Sequence, residues 1–160
     1  MYHSVIGKRL VACVNQRDDT DYTVREFFED VYMPLFFGSK QMLQFINNSP
    51  FDQAISKQKK EFTPTLYNEC LAQIHSKVMG REPDASFFLG GPASGSLEST
   101  SGQVTSMALP ISQEDVYASW IGAALGVMVQ GGITLLIDAD AVLLKLYDGW
   151  QAYREYLKQT

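Results

Sequence analysis

Cysteine and histidine are scarce in this chain, two of each in 160 residues, and neither is spaced for familiar chemistry. Cys13 and Cys70 lie far apart, without CxxC spacing and in apolar surroundings, so both are read as buried free thiols rather than parts of a disulfide framework. His3 and His75 form no HxH or HExxH pattern, which removes the usual zinc and metalloprotease arrangements. Cys70 and His75 are five residues apart and fall on different faces of a helix, so they do not make a Cys-His dyad. Positive charge is also in deficit: 13 Lys and Arg against 18 Asp and Glu give a net charge of -5. That balance repels nucleic-acid backbones and anionic lipid surfaces unless basic residues gather on one face. The gatherings are small, Lys57, Lys59 and Lys60, with Lys8-Arg9 a lesser second. Missing too are a P-loop, a dinucleotide fingerprint and a nucleophile elbow. The start, Met1-Tyr2-His3-Ser4, lacks the basic cluster and apolar stretch of a secretory signal, and a cytoplasmic location is expected.

What is present is a globular composition, 46% apolar, 12% aromatic and 19% charged, which argues against intrinsic disorder. The length suits one domain over residues 1–160, able to bury roughly two thirds of its unfolded surface without a staple. The last helix reaches the end without a stop signal, as a piece of a longer protein would. Leu10 to Val14 reads as a short strand. Thr23 with Glu26 is a capping box before an apolar stripe from Val24 to Phe36, and Pro34 should kink or end that helix near Met33. A second helix is expected over Lys40 to Ile46, and an exposed polar turn or loop over residues 51–62. Thr63-Pro64 opens a third helix closed by Gly80, with Leu66, Leu71, Ile74 and Val78 on its apolar face.

From Arg81 onward the pattern changes. Phe87 to Leu89 and Val104 to Ile111 read as strands around a loop, and Ser112 with Asp115 caps a helix running to Val129. Ala118 to Ile137 carries no charge over twenty residues, the length of a membrane span. Its four glycines, with Gly131-Gly132 two thirds of the way along, and its acidic flanks argue instead for a buried helix, a break and a buried strand, Ile133 to Ile137. Ala118, Gly122 and Gly126 form a stripe of small residues that lets another backbone approach. A final helix presents Val142, Leu146, Trp150, Tyr153 and Leu157 on one side. The fold expected is α+β: a helical N-terminal half packed on a small mixed or antiparallel sheet formed mainly by residues after 85.

Two places offer chemistry. Asp138-Ala139-Asp140, at the end of the expected strand, pairs two carboxylates that either cap the following helix or jointly hold a hard cation such as Mg²⁺ or Mn²⁺. The string from Leu135 to Val142 resembles the first motif of haloacid-dehalogenase-type phosphatases, which implies phosphoryl chemistry at the acids. That family places its Thr or Ser, Lys and second acid pair later in the chain, where this sequence has only twenty residues. The second place is the loop over residues 90–102, whose Gly91, Ser94, Ser96, Ser99 and Thr100 are candidate ligand-binding groups. No complete catalytic set results, so the leading expectation is a non-catalytic ligand-binding or assembly domain. The alternative is a metal-dependent phosphoryl-transfer or hydrolytic enzyme using Asp138 and Asp140, with Glu98 or Ser96 supplied by the loop. The aromatic segment Tyr32 to Phe37 exceeds the needs of one stripe and marks an expected surface for a homo-oligomer or second domain.

Overall fold

A computed structural model describes residues 2–39, 49–79, 112–129 and 133–159, and most of these are helical. The first helix, α1, spans Tyr2–Asp18, where a strand over Leu10 to Val14 was expected. Five apolar residues in a row do not distinguish strand from helix. The neighbours decide it, because Ile6, Gly7, Leu10, Val11, Cys13 and Val14 fall on one helical face and are all buried. Asp19, with φ of 53°, ends the helix in a left-handed turn.

The capping box at Thr23 forms: its Oγ1 accepts from the Glu26 amide at 3.2 Å, and its own amide donates to Glu26 Oε2 at 2.8 Å. Beyond it the chain is helical through three registers, α2 (Val24–Phe27), a wider π segment (Phe28–Tyr32) and α3 (Met33–Phe37). The Met33 amide bonds to the Phe28 carbonyl, five residues back. This change of register just before Pro34 lets the segment continue to Phe37 instead of stopping near Met33. The expected oligomer surface is not one: Tyr32, Met33, Leu35, Phe36 and Phe37 are buried in the core. A helix that widens by one residue turns more than one stripe inward, which accounts for the excess of aromatics.

A second π segment, Asp52–Lys57, follows Phe51, and the exposed reading of residues 51–62 holds for 57–61 but fails at its start. Phe51, Asp52 and Ala54 are buried, with the Phe51 ring 4.8 Å from Phe37. Helix α4 (Pro64–Val78) starts as its sequence indicates, Thr63 Oγ1 accepting from the Leu66 amide at 3.1 Å. Its buried stripe is Leu66, Cys70, Ile74 and Val78, Cys70 taking the place expected of Leu71. Both cysteines are free and buried.

Helix α5 (Gln113–Ala124), capped by Ser112, is the centre of the fold, with every residue from Val116 to Gly122 buried. It crosses α1 antiparallel at a backbone-to-backbone approach: a Cβ on Gly7 would lie 1.9 Å from the Ala118 carbonyl oxygen, and one on Gly122 1.8 Å from that of His3. Glycine is required at both positions by space. Lys8 reinforces the crossing through Asp115 at 2.8 Å and Glu114 at 3.7 Å.

After Ala124 the chain forms an antiparallel hairpin, β1 (Val127–Val129) with β2 (Ile133–Leu135), Met128 facing Thr134. The helix therefore ends five residues short of Val129, where β-branched Val127 and Val129 take up an alternating, paired conformation. Val127, Leu135 and Ile137 are exposed, so the expected buried strand to Ile137 does not occur. Helix α6 (Asp140–Lys158) then returns along α1.

The α+β expectation is overturned. Among the described residues this hairpin is the extended structure, and the core is helix against helix, α5 enclosed by α1 and α2–α3 with α6 outside α1. Three strand residues on each side present too little area to carry a layer of helices. The helix expected over 40–46, the strands over 87–89 and 104–111, and Gly131-Gly132 lie outside the described residues. Among the described residues no helix is long and apolar enough to cross a membrane.

Candidate functional site

The acid pair sits where α6 begins, but it neither caps that helix nor opens into a carboxylate cluster. The N-cap is Ala139, without a side-chain bond to the first turn. The Arg9 guanidinium of α1 instead spans the two acids, its Nη1 donating to Asp138 and its Nε to Asp140 Oδ1 at 2.5 Å. Arg9, and behind it the Cys13 thiol, hold the Asp140 carboxyl below its ordinary range. Burial, and then the nearby Asp140, push the Cys13 thiol upward and keep it protonated, which removes the nucleophilic thiolate. One guanidinium thus engages one oxygen of each acid. Among the described residues no group of three or more His, Cys, Asp or Glu side chains is gathered as a metal site requires.

A second constellation was not read from the sequence. His75 of α4 stands between two other elements, its Nδ1 2.7 Å from the Tyr117 hydroxyl of α5 and its Nε2 3.2 Å from Glu29 Oε1. Arg25, one helical turn before Glu29, donates from Nε to the same oxygen at 2.7 Å. Phe28 meets the imidazole edge-on at 6.2 Å and the Tyr117 ring at 4.8 Å. Burial lowers the His75 pKa; Glu29 opposes that shift and Arg25 adds to it. Burial pushes the Tyr117 phenol up to about 12, so it remains a hydroxyl. The only trace in the sequence is that Glu29 follows Phe28, and His75 follows Ile74, at the edges of apolar stripes. Nothing local pairs residues forty or more positions apart.

A third feature is an open groove of about 590 Å³ between the π–α3 segment and the second half of α6. Val31, Pro34 and Leu35 form one wall; Tyr147, Gln151 and Arg154 form the other. Asp30, Glu155 and Lys158 bring both signs of charge to it. Trp150 packs edge-on against Phe36 at 4.6 Å behind this wall, and Arg154 Nη1 donates to the Ser39 hydroxyl, fixing the rim. Among the described residues its lining has no histidine, cysteine or serine, and the groups there that can give or take a proton are Tyr22, Asp30, Tyr147, Glu155 and Lys158.

Of the residues singled out in the sequence, Asp138 and Asp140 are brought together, on Arg9. Glu98, Gly91, Ser94, Ser96, Ser99 and Thr100 lie outside the described residues. Of the basic gatherings, Lys8 and Arg9 bind acids of other elements, and in the cluster of Lys57, Lys59 and Lys60 the Lys57 Nζ lies 3.5 Å from Asp52. Comparison with protein-family models, with curated proteins and with solved structures finds no match for this chain.

Proposed function

We propose that this chain is a non-catalytic helical binding domain that takes its ligand in the groove between the π–α3 segment and α6. The observation that carries the reading is the make-up of that groove: aliphatic and aromatic side chains with charges of both signs around them and, among the described residues that line it, no histidine, cysteine, serine or threonine. Such a lining suits a short peptide or a small amphipathic molecule with a charged end, recognised by Arg154 and Lys158 or by Asp30 and Glu155. The clamp of Arg9 on Asp138 and Asp140 supports the same choice, since those carboxylates already have a cationic partner. A cytoplasmic setting, where Cys13 and Cys70 stay reduced, belongs to this reading.

Ligand-detected NMR against a library of short peptides and small amphiphiles tests it, with Val31→Glu and Arg154→Glu proteins as controls. Binders that shift the resonances of Tyr147, Gln151 and Arg154, and lose affinity in both variants, support the proposal. Turnover of a phosphate ester in the presence of Mg²⁺, abolished by Asp138→Asn, overturns it in favour of a hydrolase.

A further inference from the structure

We propose that His75 is an acid-sensitive latch, fastening α4 to the π segment and to α5 through a hydrogen-bond chain that runs from Tyr117 to Glu29 while its ring is neutral. The chain has one consistent direction. The Glu29 carboxylate can only accept, so Nε2 carries the proton and donates to it at 3.2 Å. Nδ1 is then a bare acceptor for the Tyr117 hydroxyl at 2.7 Å. Arg25 donates to the same Glu29 oxygen and holds it in place. Each participant comes from a different element, α2, the π segment, α4 and α5, so the chain ties them together.

Protonation of Nδ1 reverses its end of the chain. The cationic ring now presents a hydrogen to the Tyr117 oxygen, and the phenolic hydrogen must turn away from Nδ1 within a side chain that is only 2% exposed and has the Phe28 ring against it. The charges facing the ring do not favour the cation decisively: Glu29 attracts it, Arg25 repels it, and Tyr117 supplies no charge because burial keeps its phenol protonated. Burial of the ring weighs against the cation as well. Acid therefore weakens the Tyr117 end of the attachment, leaving α4 on the Glu29 contact and on the apolar stripe Leu66, Cys70, Ile74 and Val78. The inference concerns α4 and stands apart from the groove on α6.

Two measurements on the full chain test it. Nitrogen-15 NMR of the imidazole at neutral pH must show Nε2 protonated and Nδ1 bare; a ring in the other tautomer, or already cationic, overturns the latch. Amide hydrogen exchange, corrected for intrinsic rates, must show α4 opening roughly tenfold more often at about pH 5 than at about pH 7.5. His75→Gln, which offers an uncharged donor and acceptor, must flatten that dependence. Opening of α4 that is insensitive to pH in the unmutated chain, or equally sensitive in His75→Gln, refutes the proposal.

Discussion

Substituting Gly122 by alanine sets two physical effects against each other, and the geometry of the α1–α5 crossing decides which is larger. In an exposed helix the change stabilises by about 1 kcal/mol, because alanine loses less backbone freedom on folding. At Gly122 the new Cβ would sit 1.8 Å from the His3 carbonyl oxygen, a backbone atom with no rotamer to change. Relief requires the two helices to part, and they are held by a contiguous buried segment from Val116 to Gly122 against Ile6, Leu10 and Val14. Overpacking of this kind costs about 1–3 kcal/mol, more where backbone must move. The expected net loss is therefore about 2 kcal/mol, a fall in melting temperature of roughly 4–8 °C for a chain of this size. Gly149→Ala is the matched control, since nothing lies within 4 Å of a Cβ built there on α6. It should gain about 0.5–1 kcal/mol. Urea unfolding followed by far-ultraviolet circular dichroism measures both. Equal stability of Gly122→Ala and the unmutated chain would show that the helices do not cross at this distance.

Three further outcomes follow from the same structure. Leu143→Ala, which empties a fully buried position on α6, should lower stability by about 2–5 kcal/mol in urea titration, and a loss below 1 kcal/mol would mean α6 is not docked there. Millimolar Mg²⁺ or Mn²⁺ should leave the melting temperature unchanged, because Arg9 occupies Asp138 and Asp140; a rise that vanishes in Asp140→Asn would contradict this. Stability should fall on acidification through His75: its pKa is lowered from the ordinary 6.5 in the folded chain, so the unfolded chain takes up the proton first. That contribution is complete above 6.5, declines as the pH drops toward the lower folded value, and is absent from the difference between the unmutated chain and His75→Gln if the ring does not titrate in this way.

Local signals were legible in the sequence where local chemistry settles the outcome. The boxes at Thr23 and Ser112, the cap at Thr63 with Pro64 behind it, and the close-approach stripe of Ala118 and Gly122 all form as their residue types and spacings indicate. What misled was apolar density. Leu10 to Val14 looks like a strand by composition, yet Ile6 and Gly7 upstream extend it into a helical face against α5. Ala118 to Ile137 looks buried throughout, yet Val127, Leu135 and Ile137 are exposed. Burial depends on which elements meet, and a run of apolar residues says only that some of them should.

The acid pair shows the same division at a functional scale. Two carboxylates two residues apart suggest a cation, and the structure sets Arg9, some 130 positions away in the chain, against both. The arrangement repeats one step on, where Arg17 Nη1 meets Asp148 at 2.7 Å and stands 5.7 Å from the centre of the Tyr147 ring. Arg9 and Arg17 are eight residues apart, as are Asp140 and Asp148, so α1 and α6 run side by side in the same direction with their charges in step. Exposed ion pairs contribute little strength, and the buried Leu143 and Tyr147 provide the adhesion. Direction and register are where the charges matter. Sliding α6 by one turn would set Arg9 and Arg17 opposite Leu144 and Ala152, or opposite Leu136 and Leu144, breaking both cross-helix pairs and leaving Arg17 only Asp18 of its own helix. The pair that resembles a catalytic motif thus lies, with Arg9 and the Arg17–Asp148 pair, along the seam where the last helix meets the first, each acid facing a cation of α1 in the one seating the structure shows.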